Sequence, residues 1–301
     1  MKRKSIMKTT TILTLSAALS LTALGSALAG DLPLALDGKC AVCLGAKNEL
    51  VDGKPEFTSD YDAKTYRFPS AEQKRMFDAD PARFVPALGS DCTVCLVEMG
   101  KRVPGKAEHA LVHEDRLYLF PGQEQLDMFK ADPDKYKDAD LALGGACPVC
   151  LVKLDQVVQG LPQLAVVHDG LRYLFPGEEQ KRMFLRDPAA YTPALGGDCT
   201  VCKVELNQQV AGKPEHHLTH EGRLYLFPER KQLEMFEQNP HKYTGADLAL
   251  GGNCAVCKVD MKKDVPGKAE FAVDYRGQRY LFPSAALREK FLRSPSKYAV
   301  Q

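Results

Sequence analysis

Apolar and polar residues along the chain follow one pattern that recurs five times. Its clearest instance is "LAVVHDGLRYLFP", Leu164 to Pro176, where two arms rich in β-branched, aromatic and leucine residues flank Asp169-Gly170. An Asp-Gly step between such arms predicts a β-hairpin with a tight two-residue turn. "EGRLYLF" in the fourth copy and "RGQRYLF" in the fifth predict the same element. Pro69-Ser70-Ala71-Glu72-Gln73 then opens a helix, with Ser70 and Gln73 at capping-box spacing. Gly122, Gly177 and Glu229 replace the serine elsewhere, so that cap is only partly kept. "KRMF" continues the helix, and Asp80-Pro81 ends it, because the residue before a proline avoids the helical region. The last aromatic of a copy, such as Tyr136, is expected to fold back onto the hairpin.

A Cys-x-x-Cys pair heads each copy, in a turn such as that behind Gly144-Gly145. The second cysteines stand at 43, 95, 150, 202 and 257, in steps of 52, 55, 52 and 55. Counted from them, valine recurs at +8, glycine at +10, His or Tyr at +18, Tyr at +23, Phe at +34, Pro at +38 and Tyr or Phe at +41. No copy carries an internal insertion; all length variation lies in joints of two alternating types, "VPALGSD" or "TPALGGD" and "KDADLALGGA" or "TGADLALGGN". Constant length suits a compact packed unit, and joints this short suit neighbours packed on one another. The alternation points to duplicated pairs of modules plus a fifth. The expectation is an α+β tandem array of five small modules, each a CxxC turn, a β-hairpin and a short α-helix. Boundaries fall at 30-86, 87-139, 140-194, 195-246 and 247-301. The residues after each pair, "LVKL" or "KVEL", read as an extended piece running into a Val-x-Gly turn.

The N-terminus changes the picture of where this array works. "MKRKSIMK" is followed by an apolar run, Ile12 to Leu24, and by "SALAG", with Ala27 and Ala29 in the small-x-small pattern before Gly30. Residues 1-29 therefore read as a secretory signal peptide, which places the protein in the periplasm or outside the cell. Four positive charges leave with that segment, and the formal charge falls from +1 to −3. So balanced a chain argues against nucleic acid or an anionic membrane as partner. No membrane span is expected after cleavage. All ten cysteines lie in the five pairs, and in an oxidising compartment a free dithiol needs protection by a metal, a disulfide or a redox partner.

Taken together, the N-terminal cysteine, the hairpin ending in Tyr-x-Phe and the helix ending Phe-x-x-x-Pro-x-x-Tyr resemble the YHS domain, one of the TRASH-like metal-binding modules. The resemblance runs through all five copies, over about 45 residues each. It implies a soft or borderline metal (zinc, copper or another transition metal) held by Cys40, Cys43, Cys92, Cys95, Cys147, Cys150, Cys199, Cys202, Cys254 and Cys257. Members of that family often carry a second cysteine pair at the helix start. Here those slots hold Pro69 and Gln73, Pro121 and Gln125, Pro176 and Gln180, Pro228 and Gln232, and Pro283 and Leu287, so the helix-side half of the expected site is gone.

A structural zinc site needs four Cys or His ligands. The +18 histidines His113, His168 and His220 could supplement a pair, but Tyr61 and Tyr275 hold that place in the outer copies. The competing account of this His/Tyr alternation is a ring whose body packs on the sheet. Leu44, Leu96, Leu151, Lys203 and Lys258 follow the second cysteines, which excludes the CxxCH haem motif. Two rivals to a metal remain. One is a disulfide-stapled scaffold that binds an exported protein partner. The other is a thiol–disulfide redox protein, which the extended reading after the pair disfavours, since redox pairs start a helix. No nucleotide-binding glycine loop, G-x-S-x-G or HExxH occurs, so the array is read as non-catalytic.

Overall fold

The computed structural model describes residues 32–300; the expected signal peptide lies outside them. Five repeated units of mixed helix and strand succeed one another, each with a cysteine-pair turn, a two-stranded hairpin and a helix. No helix among the described residues is long and apolar enough to cross a membrane.

The residues after each cysteine pair correct the extended reading: they form a short helix. These cysteine helices are Ala41–Lys47, Thr93–Met99, Pro148–Leu154, Thr200–Leu206 and Ala255–Met261. The first cysteine is the N-cap in every copy, with extended backbone, and its Sγ accepts the N–H of the second cysteine, for example Cys43 N to Cys40 Sγ at 3.3 Å. A left-handed residue (Asn48, Gly100, Asp155, Asn207 or Lys262) then stops the helix after two turns. Pro148 at the first helical position was the legible signal. A run this short shows little periodicity, which is why the pattern reads as a strand.

The hairpins form where predicted: Lys54–Tyr61 with Lys64–Phe68, Lys106–His113 with Arg116–Phe120, Leu161–His168 with Leu171–Phe175, Lys213–His220 with Arg223–Phe227, and Lys268–Tyr275 with Gln278–Phe282. Both turn residues have positive φ, as at Asp169 (52°) and Gly170 (73°). The +10 glycine answers to crowding. A Cβ on Gly160 would sit 2.3 Å from the backbone carbon of Leu174, and Gly53, Gly105, Gly212 and Gly267 are equally confined. Gly160 N also donates to Gly145 O, tying the Val-x-Gly turn to the segment before the cysteines. Gly160→Ala is therefore expected to destabilise the protein by about 2–3 kcal/mol, read as a lowered urea midpoint at unchanged slope.

The helices Ala71–Ala79, Gln123–Ala131, Glu178–Arg186, Arg230–Gln238 and Ala285–Arg293 follow. Ser70 accepts Glu72 N–H and donates to the Gln73 side chain, so the serine cap is made in module 1, whereas Ser284 at the same place in module 5 makes no side-chain cap bond. Each helix lays its +34 phenylalanine at the centre of the module. Phe184, fully buried, lies 4.9 Å from the Tyr173 ring, 5.2 Å from Phe175 and 5.8 Å from His168. The last aromatic joins the module core together with the hairpin aromatics. Tyr136 stacks on Phe129, and its hydroxyl bonds Glu98 of the cysteine helix at 2.6 Å; Tyr243 and Tyr298 reach Glu205 and Asp260 likewise. The Pro-initiated turn before it, Pro133–Tyr136, aims the ring at that helix.

Modules pack in pairs. Leu44 of module 1 shares a core with Leu117 and Leu119 of module 2, and Leu151 of module 3 with Leu224 and Leu226 of module 4. Lys258 holds that place in module 5 and is exposed. Pairs then stack with a period of 107 residues, seen in the hairpin tips. Asp62 of module 1 accepts the N–H groups of Asp169 (2.6 Å) and Gly170 (2.9 Å) in module 3, and Asp169 accepts Gly277 N–H of module 5 at 3.4 Å. Gly170 and Gly277 seat against Leu88 and Leu195, which sit in the joints with φ of 51° and 52°; a Cβ on either glycine would come within 2.9 Å of the joint backbone.

Candidate functional site: cysteine turns and a central cleft

The two sulfurs of each pair are brought together at a helix start, deep in the module. Cys40, Cys92, Cys147, Cys199 and Cys254 are fully buried and belong to the aromatic cores. Their partners are buried too, except Cys43, which is partly exposed. All ten are unbonded thiols in this structure. Burial pushes Cys40, Cys92, Cys147 and Cys199 up to about 12, and Cys257 up to about 11. For Cys40, Cys92, Cys147 and Cys199 the N–H that the sulfur accepts pulls the other way but does not overcome desolvation. At neutral pH these groups are thiols, without the exposed, electropositive setting that makes a cysteine nucleophilic.

The histidines stay apart from the sulfurs. His113, His168 and His220 each stand edge-on to the helix phenylalanine, with ring centroids 5.7, 5.8 and 5.7 Å away. His220 Nε2 is buried without a hydrogen-bond partner, yet no third donor joins it. Among the described residues no three His, Cys, Asp or Glu side chains gather as a metal ion would require. The donor set of a module is two cysteine sulfurs, which does not fit the four-ligand site that the family resemblance implies. The +18 position has another use in module 1: the Tyr61 hydroxyl accepts Val167 N–H of module 3 at 3.0 Å.

Sequence reasoning missed a second feature, because it exists only after modules stack. The tips of hairpins 1, 3 and 5 enclose a cleft of about 400 Å³, with Lys64, His168, Asp169, Arg186, Arg276 and Arg288 among its lining. The 107-residue recurrence of the tips was its one signal in the chain. Asp169, at the tip of hairpin 3, lies between the other two tips. Burial, and then the Asp62 carboxylate beside it, raise its pKa to about 7, against the pull of Arg102 and the N–H of Gly277. An unfolded aspartate titrates near 4, so between about pH 4 and 7 the folded chain holds a proton that the unfolded chain has lost. Stability from this group falls as pH rises through that window and levels off above it. Asp169→Asn is expected to remove the slope: about 1–2 kcal/mol more stable than the parent at pH 8 and nearly equal at pH 4, by urea titration at both pH values.

No protein-family profile and no solved structure matches the chain. It is 28% identical over 160 residues to mouse (Mus musculus) adenylate kinase 9, a stretch covering 50% of this chain and 7% of that protein. The chain thus matches a small fraction of that relative's length.

Proposed function

We propose that the protein is an exported, non-catalytic repeat scaffold whose cysteine pairs are internal staples and whose outer surface serves a protein partner. The observation that carries this reading is the placement of each pair: two sulfurs at the start of a two-turn helix, the first always buried in the module core, with no third metal donor gathered beside them among the described residues. Export is supported by the N-terminal charged and apolar pattern and by the even cysteine count. A disulfide across so short a loop contributes on the order of 2 kcal/mol per pair by loop entropy, a useful share for a module of this size. The helix-start geometry is compatible with slow closure to a disulfide, whereas rapid exchange is opposed by the raised thiol pKa values.

The test is a thiol and metal count on natively purified protein. The expected result is no reactive thiol in denaturant before reduction, ten after dithiothreitol, no stoichiometric metal, and a lower melting temperature for the reduced form. About one metal per module, lost on chelation together with fold, would replace this reading with metal binding. The likeness to adenylate kinase 9 suggests no second reading, since the chain holds no nucleotide-binding glycine loop.

A further inference from the structure

We propose that the cleft between hairpin tips 1, 3 and 5 binds a small amphipathic anion, an apolar body carrying one carboxylate or sulfonate. The site goes beyond the scaffold role. No single module contains it: its walls come from residues a full 107-residue period apart, together with the joint between modules 1 and 2. Its volume of about 400 Å³ lies in the range of small-molecule sites. Leu88, Val273 and Leu292 supply apolar wall, which suits a hydrocarbon or aromatic body better than a sugar or a nucleotide.

Charge decides the head group. The cleft is lined by five cations and four carboxylates, but most of the carboxylates are engaged. Asp62 holds two backbone N–H groups of the module 3 tip, and Asp169 holds Gly277 N–H. Asp274 is paired with Arg223 at 2.9 Å. Among the cations, Arg102 and Arg276 share the buried Asp91. Lys64, Arg186 and Arg288 remain, against Asp187. Lys64 donates to Gly89 O, Arg288 has only its exposed neighbour Glu289, and Arg186 has no carboxylate partner among the described residues. Arg186 ends the helix of module 3 and Arg288 lies within that of module 5, so the surplus positive charge is held by two modules around an apolar space. His168, whose pKa burial lowers, adds a neutral imidazole at neutral pH. A cationic ligand would meet these guanidiniums unscreened.

The test is calorimetric titration of the natively purified protein with decanoate, with acetate and decyltrimethylammonium as comparison probes, all below their micelle concentrations. Decanoate is expected to bind once per chain, with acetate and the cationic probe at least about tenfold weaker. The double variant Arg186→Glu, Arg288→Glu is expected to lose at least about tenfold in decanoate affinity at unchanged melting temperature. Ala272→Trp, which fills the cleft, is expected to abolish binding. No heat with decanoate on the native protein would overturn the proposal. So would equal binding of the cationic probe, or unchanged binding by folded Ala272→Trp. The thiol count is independent of every one of these outcomes, so either conclusion can fail alone.

Discussion

Asp140→Ala is expected to cost the array about 3–5 kcal/mol and to split its unfolding into two transitions. Asp140 is fully buried in the joint between modules 2 and 3. Its carboxylate lies between Arg116 of the second hairpin and Arg172 of the third, and both guanidiniums are nearly buried themselves. Asp138 adds a second partner for Arg172 at 2.7 Å. Removing the central charge leaves Arg116 without its carboxylate and Arg172 with Asp138 alone, at the point where the first pair of modules meets the rest. The loss should therefore appear as lost coupling between halves, with a second step in urea unfolding followed by circular dichroism. Asp140→Asn keeps the shape and one acceptor and is expected to fall between parent and alanine. A single transition with a midpoint equal to the parent's would show that the tip contacts alone hold the stack. Asp247 repeats the arrangement 107 residues later, with Arg223 at 2.5 Å and Arg279 at 3.3 Å, so its alanine variant should release module 5. Exposed pairs such as Lys74–Asp78 are a contrast, expected to matter by no more than about 0.5 kcal/mol.

Phe184→Ala is expected to cost a similar amount, about 3–5 kcal/mol, through loss of ring contacts and the cavity left behind. Phe184 touches the two hairpin aromatics Tyr173 and Phe175, the edge of His168 and the closing Tyr191 at 6.4 Å. Without it the hairpin and the helix of module 3 lose their shared anchor. Module 3 sits between modules 1 and 5 at the hairpin tips, so its loss should also uncover Asp62 and Gly277. Hydrogen exchange is the sharp readout: amides 167, 169, 170 and 277 should all lose protection in Phe184→Ala. In Phe291→Ala the loss should concentrate in module 5 and at Gly277 while modules 1 to 4 stay protected. Equal spread in both variants would refute the picture of units joined only to their neighbours.

The hairpins, the second helices and the number of units were legible in the chain because each rests on local chemistry. Asp169-Gly170 makes a tight turn from its own backbone preference, Ser70 caps its own helix, and Pro81 stops it. The fixed spacing of the +10 glycines follows from one local approach, to the hairpin strand of the same unit. The cysteine helix was misread because its cap is a sulfur and its length is two turns, too little for a periodic signature. The histidine positions were legible as ring sites, and only the fold shows that each lies against a phenylalanine.

What the amino-acid order determined alone was therefore the unit: its elements, its turns and its repetition, all set by interactions between residues close in the chain. Tertiary structure alone decided which units face each other. It used the leucines at 44, 117, 119, 151, 224 and 226 and a stack of tips whose members lie 107 residues apart. The charged joint and the cleft belong to that second level, because burying Asp140 between two arginines, or closing an apolar space among three hairpins, requires surfaces from different units to have met first.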